Sequence, residues 1–125
     1  MTISTLLFES GKNVCFFIAP SEKINERIKF NNVDISDEDF CEAFFWVKAK
    51  VGIASMSLFE LLTFIASYYF FEKKKIDYAV FEIGLDRTYD STYIIPHKFC
   101  VITKIAFELQ HVLGNSLIDI IKNML

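Results

Sequence analysis

Ile76-Asp77-Tyr78-Ala79-Val80-Phe81-Glu82-Ile83-Gly84-Leu85, residues 76–85, is the stretch on which the fold turns. Its apolar run over residues 76–83 is rich in β-formers and ends at a glycine. A run of that length bounded by turn residues suits a buried parallel strand. The polar loop Asp90-Ser91-Thr92 follows, then Ile94-Ile95. In an open α/β sheet, ligands bind beyond the carboxyl ends of the strands. Glu82 therefore stands where chemistry is usually done. A carboxylate that simply faces solvent at a strand end would give the same pattern, and spacing alone does not separate the two.

Around this stretch, size and composition set limits. The 125 residues support one domain, which buries roughly two-thirds of its extended-chain surface if it folds alone. A hydrophobic content of 53% with 14 Phe marks a core-rich chain rather than a disordered one. Thirteen basic residues against 16 acidic ones give a net charge of −3, so there is no basic field for nucleic acid. Cys15, Cys41 and Cys100 form no C-x-x-C pair. They read as small buried hydrophobes in a reducing compartment, not as a disulfide framework or zinc site. The N-terminus lacks a basic region and a small-residue cleavage site, so no secretory signal is expected and the cytoplasm is the expected location.

Residues 53–71 need a membrane test, because Glu60 is their only charge. Each Ile, Leu or Phe near a bilayer centre gains about 0.3–0.6 kcal/mol, while a central charge costs about 2.5–3.5 kcal/mol. Ser55, Ser57, Thr63 and Ser67 erode what remains. Insertion comes out marginal, and a helix buried inside an α/β domain explains the same pattern. No membrane partner is expected.

Taken in order, residues 2–10 read as a short helix stopped by Gly11, and residues 14–19 as an apolar strand ended by Pro20. Residues 28–35 alternate around Asn31-Asn32, the pattern of a small hairpin. Ser36 caps a helix running to about Lys50, with Phe40, Ala43, Phe44 and Val47 on one stripe. Ser57-Leu58-Phe59-Glu60 fits a capping box at the start of a helix reaching about Lys73. Lys73, Lys74 and Lys75 then read as a solvated helix end. Residues 99–105 form a further buried strand, and Asn115 caps a last helix.

Glu82-x-Gly84-Leu85 followed by Asp90-x-Thr92 resembles a signature of the folylpolyglutamate synthase/dihydrofolate synthase family, within the Mur ligase superfamily. That family writes the loop E-x-G-L-G-G-R-L-D-A-T-N; here Asp86 and Arg87 replace the paired glycines and Tyr93 the closing Asn. Ala19-Pro20 with Asn25-Glu26-Arg27-Ile28 is similar to its S-P-H-L-x-x-F-N-E-R-I. Phe59-Glu60-x-x-Thr63-x-x-Ala66 matches F-E-x-x-T-x-x-A, and Val101-Ile102-Thr103-x-Ile105 matches V-I-T-S-I. The resemblance covers nearly the whole chain and corresponds to the middle of the family's N-terminal ATPase domain.

What the resemblance implies is an α/β fold of three layers, αβα, with a mostly parallel sheet and strands at 13–19, 76–83 and 99–105. Residues 1–125 would form a single partial domain of that type. Ser57, Leu58, Phe59 and Glu60 would line the pterin end of a folate or dihydropteroate pocket, joined by Tyr89, Asp90 and Ser91. Glu82 would be the magnesium ligand. Magnesium and ATP are the family's cofactors, and its reaction joins a folate carboxylate to glutamate through an acyl phosphate. Yet no G-x-x-x-x-G-K-[ST] occurs in the sequence. Ala19 stands where the family's magnesium-binding Ser falls, Glu108-Leu109 where its Asp-His falls, with His111 two residues late, and Met124 where its carboxylated Lys falls. Ligation by this chain alone is therefore not expected. A non-catalytic relative that binds a pterin-like ligand or a partner is a second reading, and, resemblance aside, a small single-span membrane protein using residues 53–71 is a third. A sheet without its first strand also exposes an edge, which invites self-association.

Overall fold

The computed structural model describes residues 2–18, 22–83 and 90–101, which belong to two compact units, Met1–Glu82 and Ile83–Leu125. In the first unit, helix α1 covers Ile3–Glu9, with the Thr2 hydroxyl accepting from the Thr5 N–H at 3.3 Å. Gly11, at φ 84°, ends it as expected. The Gly11 N–H donates to the Phe8 carbonyl (2.9 Å) and the Lys12 N–H to the Leu7 carbonyl (3.3 Å), the two bonds of a Schellman cap.

Strand β1 (Val14–Phe17) lies inside a four-stranded sheet with β2 (Ile28–Phe30), β3 (Val33–Asp34) and β4 (Tyr78–Phe81), in the order β3-β2-β1-β4. The expected hairpin is present: Asn31 and Asn32, at φ 50° and 65°, make the left-handed turn between β2 and β3. Lys29 and Asp34 pair across it. The Asn31 Oδ1 accepts from the Val14 N–H at 2.8 Å, pinning the turn to β1. The α/β class is as expected, while the described sheet is mixed instead of mostly parallel. β1 and β4 run parallel, whereas the hairpin, whose Ile28 and Phe30 are apolar, extends the sheet antiparallel beside β1. Of the strand expected at 99–105, residues 99–101 carry no strand and the rest lie outside the described residues.

Alternation along β1 builds the layers. Cys15 and Phe17 are fully buried in one core with Ile28, Ile35, Ala43, Val47, Leu62, Ile65 and Ala66. Above them lie α2 (Asp37–Lys50) and α3 (Leu58–Tyr68). Val14, on the alternate side of β1, is also buried, and α1 packs on β1 and β4. Ser36 caps α2 through the Asp39 N–H at 3.1 Å, and the expected stripe faces inward: Ala43 and Val47 are buried, Phe40 and Phe44 partly so. Thr63 of α3 is buried too, its hydroxyl donating back to the Phe59 carbonyl at 2.8 Å.

Three local expectations are corrected. The α-helix beginning at Leu58 does not continue to Lys73; it gives way to a π-helical turn at Tyr69–Lys73. Lys73 and Lys75 are exposed at the helix end as expected, but Lys74 is half-buried, and both Lys73 and Lys74 reach back to α2. Lys73 Nζ meets both Glu42 carboxylate oxygens at 2.8 Å, and Lys74 Nζ lies 3.4 Å from Asp39 and 4.7 Å from the Tyr69 ring centroid. Of the cysteines only Cys15 is buried; Cys41, on the outer side of α2, and Cys100 are exposed. Among the described residues no helix is long and apolar enough to cross a membrane. α3 has 11 residues, against roughly 20 needed to span a bilayer. In the second unit, a 3₁₀ turn over Ser91–Ile94 is capped by Asp90.

Candidate functional site

Parallel pairing places the carboxyl ends of β1 and β4 side by side, with Phe17 opposite Phe81. The Glu82 N–H donates to the Phe17 carbonyl at 2.8 Å, carrying the ladder one residue past β4 and leaving the Glu82 residue exposed at the sheet's end. This is where the sequence expects it. Phe17 also connects this edge to α3. Its ring lies 5.7 Å from that of Phe59 and 5.9 Å from that of Phe81, in tilted contacts. The first turn of α3 is thus held at the same end of the sheet as Glu82.

That first turn is locally rigid. The Ser57 hydroxyl accepts from the Glu60 N–H at 3.2 Å, and the Glu60 carboxylate accepts from the Ser57 N–H at 2.7 Å, the two halves of a capping box. The Ser57 backbone N–H first, then its hydroxyl, hold the Glu60 carboxyl below the usual carboxylate range. Leu58 is exposed and Phe59 half-buried, so the turn offers an apolar face beside a fixed carboxylate.

Asp90 is buried within the second unit's described residues. Its Oδ1 accepts from the Thr92 N–H (2.8 Å) and hydroxyl (2.7 Å), which orders Ser91 at the start of the 3₁₀ turn. Tyr89, His111 and Met124 lie outside the described residues, as do Ala19 and Glu108. Phe17 and Phe81 went unnoticed in the sequence as site-building residues. Only the β1–β4 register, which no local pattern encodes, puts them beside Phe59 and Glu82.

No protein-family model matches the chain. It is 34% identical to the dihydrofolate synthase/folylpolyglutamate synthase of Bacillus subtilis over 94% of its own length and 29% of that protein's. The chain belongs to the folylpolyglutamate synthase/dihydrofolate synthase family. It spans less than a third of the length of these curated relatives, and 16% of an Arabidopsis thaliana folylpolyglutamate synthase to which it is 35% identical. The apo folylpolyglutamate synthase of L. casei superposes with a TM-score of 0.80 at 27% identity, over 98% of this chain and 32% of that one. E. coli FolC in complex with DHPP and ADP shares the fold, with a TM-score of 0.88 over 97% of this chain and 29% of that one, at 23% identity. The family's Yersinia pestis synthase has been solved with AMPPNP and Mn, at a TM-score of 0.68 and 26% identity over 73% of this chain and 22% of that one.

Against these family cofactors the residues present can be tested. Thr2 satisfies the first turn of α1 from within the chain. No loop of the G-x-x-x-x-G-K-[ST] kind is encoded. The residues present do not fit a nucleoside triphosphate. For a divalent cation, no three His, Cys, Asp or Glu side chains converge among the described residues, and Glu82 offers one carboxylate.

Proposed function

We propose that residues 1–125 act as one partial Mur-ligase-type domain that binds a folate- or dihydropteroate-like molecule without joining glutamate to it. The observation that carries this reading is the Phe17 bridge, which fixes the capped turn of α3 at the same sheet end as Glu82. Leu58 and Phe59 would offer the flat apolar contact a pterin ring needs, and Ser57 and Glu60 its polar edge. Tyr89, Asp90 and Ser91 are the further ligand contacts that the family resemblance implies. Glu82 would hold a magnesium ion weakly, its other positions filled by water or by the ligand's own oxygens. Ligation needs preorganised charge stabilisation around the transferred phosphoryl group, and the residues that would supply it are not encoded. The three free cysteines, two of them exposed, suit a reducing compartment, in keeping with a cytoplasmic location.

Equilibrium dialysis of the purified chain against dihydropteroate and folate, with and without magnesium, tests this reading. Saturable binding that weakens in Leu58→Ala and Ser57→Ala is the expected outcome. Absence of saturable binding of either pterin would refute it.

A second reading is favoured by the burial of β4. Tyr78 is 41% exposed, and Ala79, Val80 and Phe81 are only half-buried, although the strand is apolar and its partner β1 is almost wholly buried. Self-association along this strand would cover it. Light scattering across a concentration series should give a mass above that of one chain; a single monomer mass throughout would exclude it.

A further inference from the structure

Between α2 and α3 lies an open groove of about 270 Å³. Its walls are aromatic: Trp46 from α2, Phe64 and Tyr68 from α3, and Phe71 from the π-turn, with Val51 beside them. The Trp46 ring stacks on that of Tyr68, with centroids 4.6 Å apart and planes 26° from parallel. Trp46, Val51 and Phe71 are exposed although all three are apolar. The volume falls just short of the roughly 300–1,000 Å³ of sites for drug-sized molecules. The groove therefore suits a small ligand, not a protein element.

Its charge narrows the choice. Of the other lining residues Ser67 is polar, and its hydroxyl already donates to the Thr63 carbonyl at 2.8 Å. Glu72 lines the groove as well, is exposed, and joins no ion pair among the described residues. The neighbouring carboxylate is different. Glu42 accepts from the Tyr68 hydroxyl at 3.2 Å and is neutralised by Lys73, which meets both its oxygens at 2.8 Å. No lysine or arginine of the described residues stands over the Trp46, Phe64 or Phe71 ring. Lys74 makes both cation–π contacts found among them, with Phe30 and Tyr69. Ring faces and the Glu72 carboxylate thus present one sign of field to the groove, negative.

That pattern selects among cations. A metal ion or a primary ammonium gives up several waters on entry, and the groove returns a single carboxylate. A quaternary ammonium has no N–H to satisfy, and its charge lies over methyl groups that pack on ring faces. A neutral apolar molecule would gain nothing from Glu72. We propose that the groove is a binding site for a small quaternary ammonium ligand, held on the faces of Trp46 and Phe71 with Glu72 as its counter-ion. The inference does not require a pterin to bind, since the contacts proposed for that ligand on α3 lie in its first turn.

Trp46 is the only tryptophan in the chain, so its emission reports on the groove directly. Choline chloride, ethanolamine and 3,3-dimethylbutan-1-ol, the neutral carbon analogue of choline, are titrated separately at an ionic strength held with sodium chloride. A saturable change in emission with choline is the expected result. Its affinity should exceed those of the alcohol and of ethanolamine by about fivefold or more, as one or two cation–π contacts in water would give. Glu72→Gln should weaken choline severalfold and leave the circular dichroism unchanged, because the side chain is exposed and in no ion pair. No saturable response to choline, equal affinity for the alcohol or ethanolamine, or unchanged affinity in Glu72→Gln would overturn the proposal. Emission that shifts with protein concentration and not with choline would give the groove to a second copy, and would overturn it equally. Should choline bind while dialysis finds no pterin binding, only the folate reading fails.

Discussion

Cys15 and Glu60 show how burial and hydrogen bonding give side chains of ordinary type different chemistry. Burial, only partly offset by the nearby Lys74 charge, pushes the Cys15 thiol up to about 12. Reactivity follows the thiolate, so Cys15 should be inert while Cys41 and Cys100 react. A thiol reagent at neutral pH should label two sulfhydryls in the folded chain and all three in denaturant; rapid labelling of Cys15 would contradict its packing. Glu60 is shifted the other way. Because its carboxyl titrates lower in the folded chain than its ordinary 4.5, the capping box contributes fully above that value. That contribution fades as pH falls through the lower folded value. Glu60→Gln should therefore lose part of the acid-side slope in a plot of stability against pH below about pH 4.5, as followed by urea melts. An unchanged slope would mean that the box adds nothing in solution.

Among the elements, the hairpin and the π-turn are where local chemistry meets the tertiary frame. Asn31 and Asn32 both hold left-handed backbone, yet their side chains differ in duty. Asn31 binds the Val14 N–H and the Asn13 side chain, whereas Asn32 is exposed. Asn32→Gly should relieve backbone strain and stabilise by a few tenths to about 1 kcal/mol. Asn31→Gly gains the same relief but forfeits two hydrogen bonds at about 1 kcal/mol each, so its melting temperature should fall. Thermal unfolding of the two variants reads the opposite signs directly. The π-turn depends on more than its own sequence: residues 69–73 have no local feature that marks the wider turn. Across it, Lys73 pairs with Glu42 and Lys74 with Asp39 on α2, while Tyr69 and Phe70 enter the core.

For the molecule as a whole, the decisive comparison is between a family fold and a partial set of family chemistry. The chain superposes on family structures over nearly all its length while spanning less than a third of theirs. Its described residues place one carboxylate, Glu82, at the end of β4, and its sequence encodes no G-x-x-x-x-G-K-[ST] loop. ATP supplied with dihydropteroate, glutamate and magnesium should therefore remain unconsumed by the purified chain above the rate in buffer. Steady ADP release that depends on both substrates would show that the phosphate is gripped by some other part of the chain.

The helix starts at Ser36 and Ser57, the stop at Gly11 and the Asn31-Asn32 turn were all legible in the sequence, because caps and turns are set by residues within four positions of one another. The family was legible as well, since the order and spacing of Asn25-Glu26-Arg27, Phe59-Glu60 and Glu82-x-Gly84-Leu85 survive in the chain itself. Only the tertiary structure could decide that the hairpin joins β1 to make a mixed sheet, that Cys15 alone of the cysteines is enclosed, and that Phe17 ties α3 to Glu82. Each of those depends on which residues distant in sequence meet across strands and helices, and packing, not local propensity, selects those meetings.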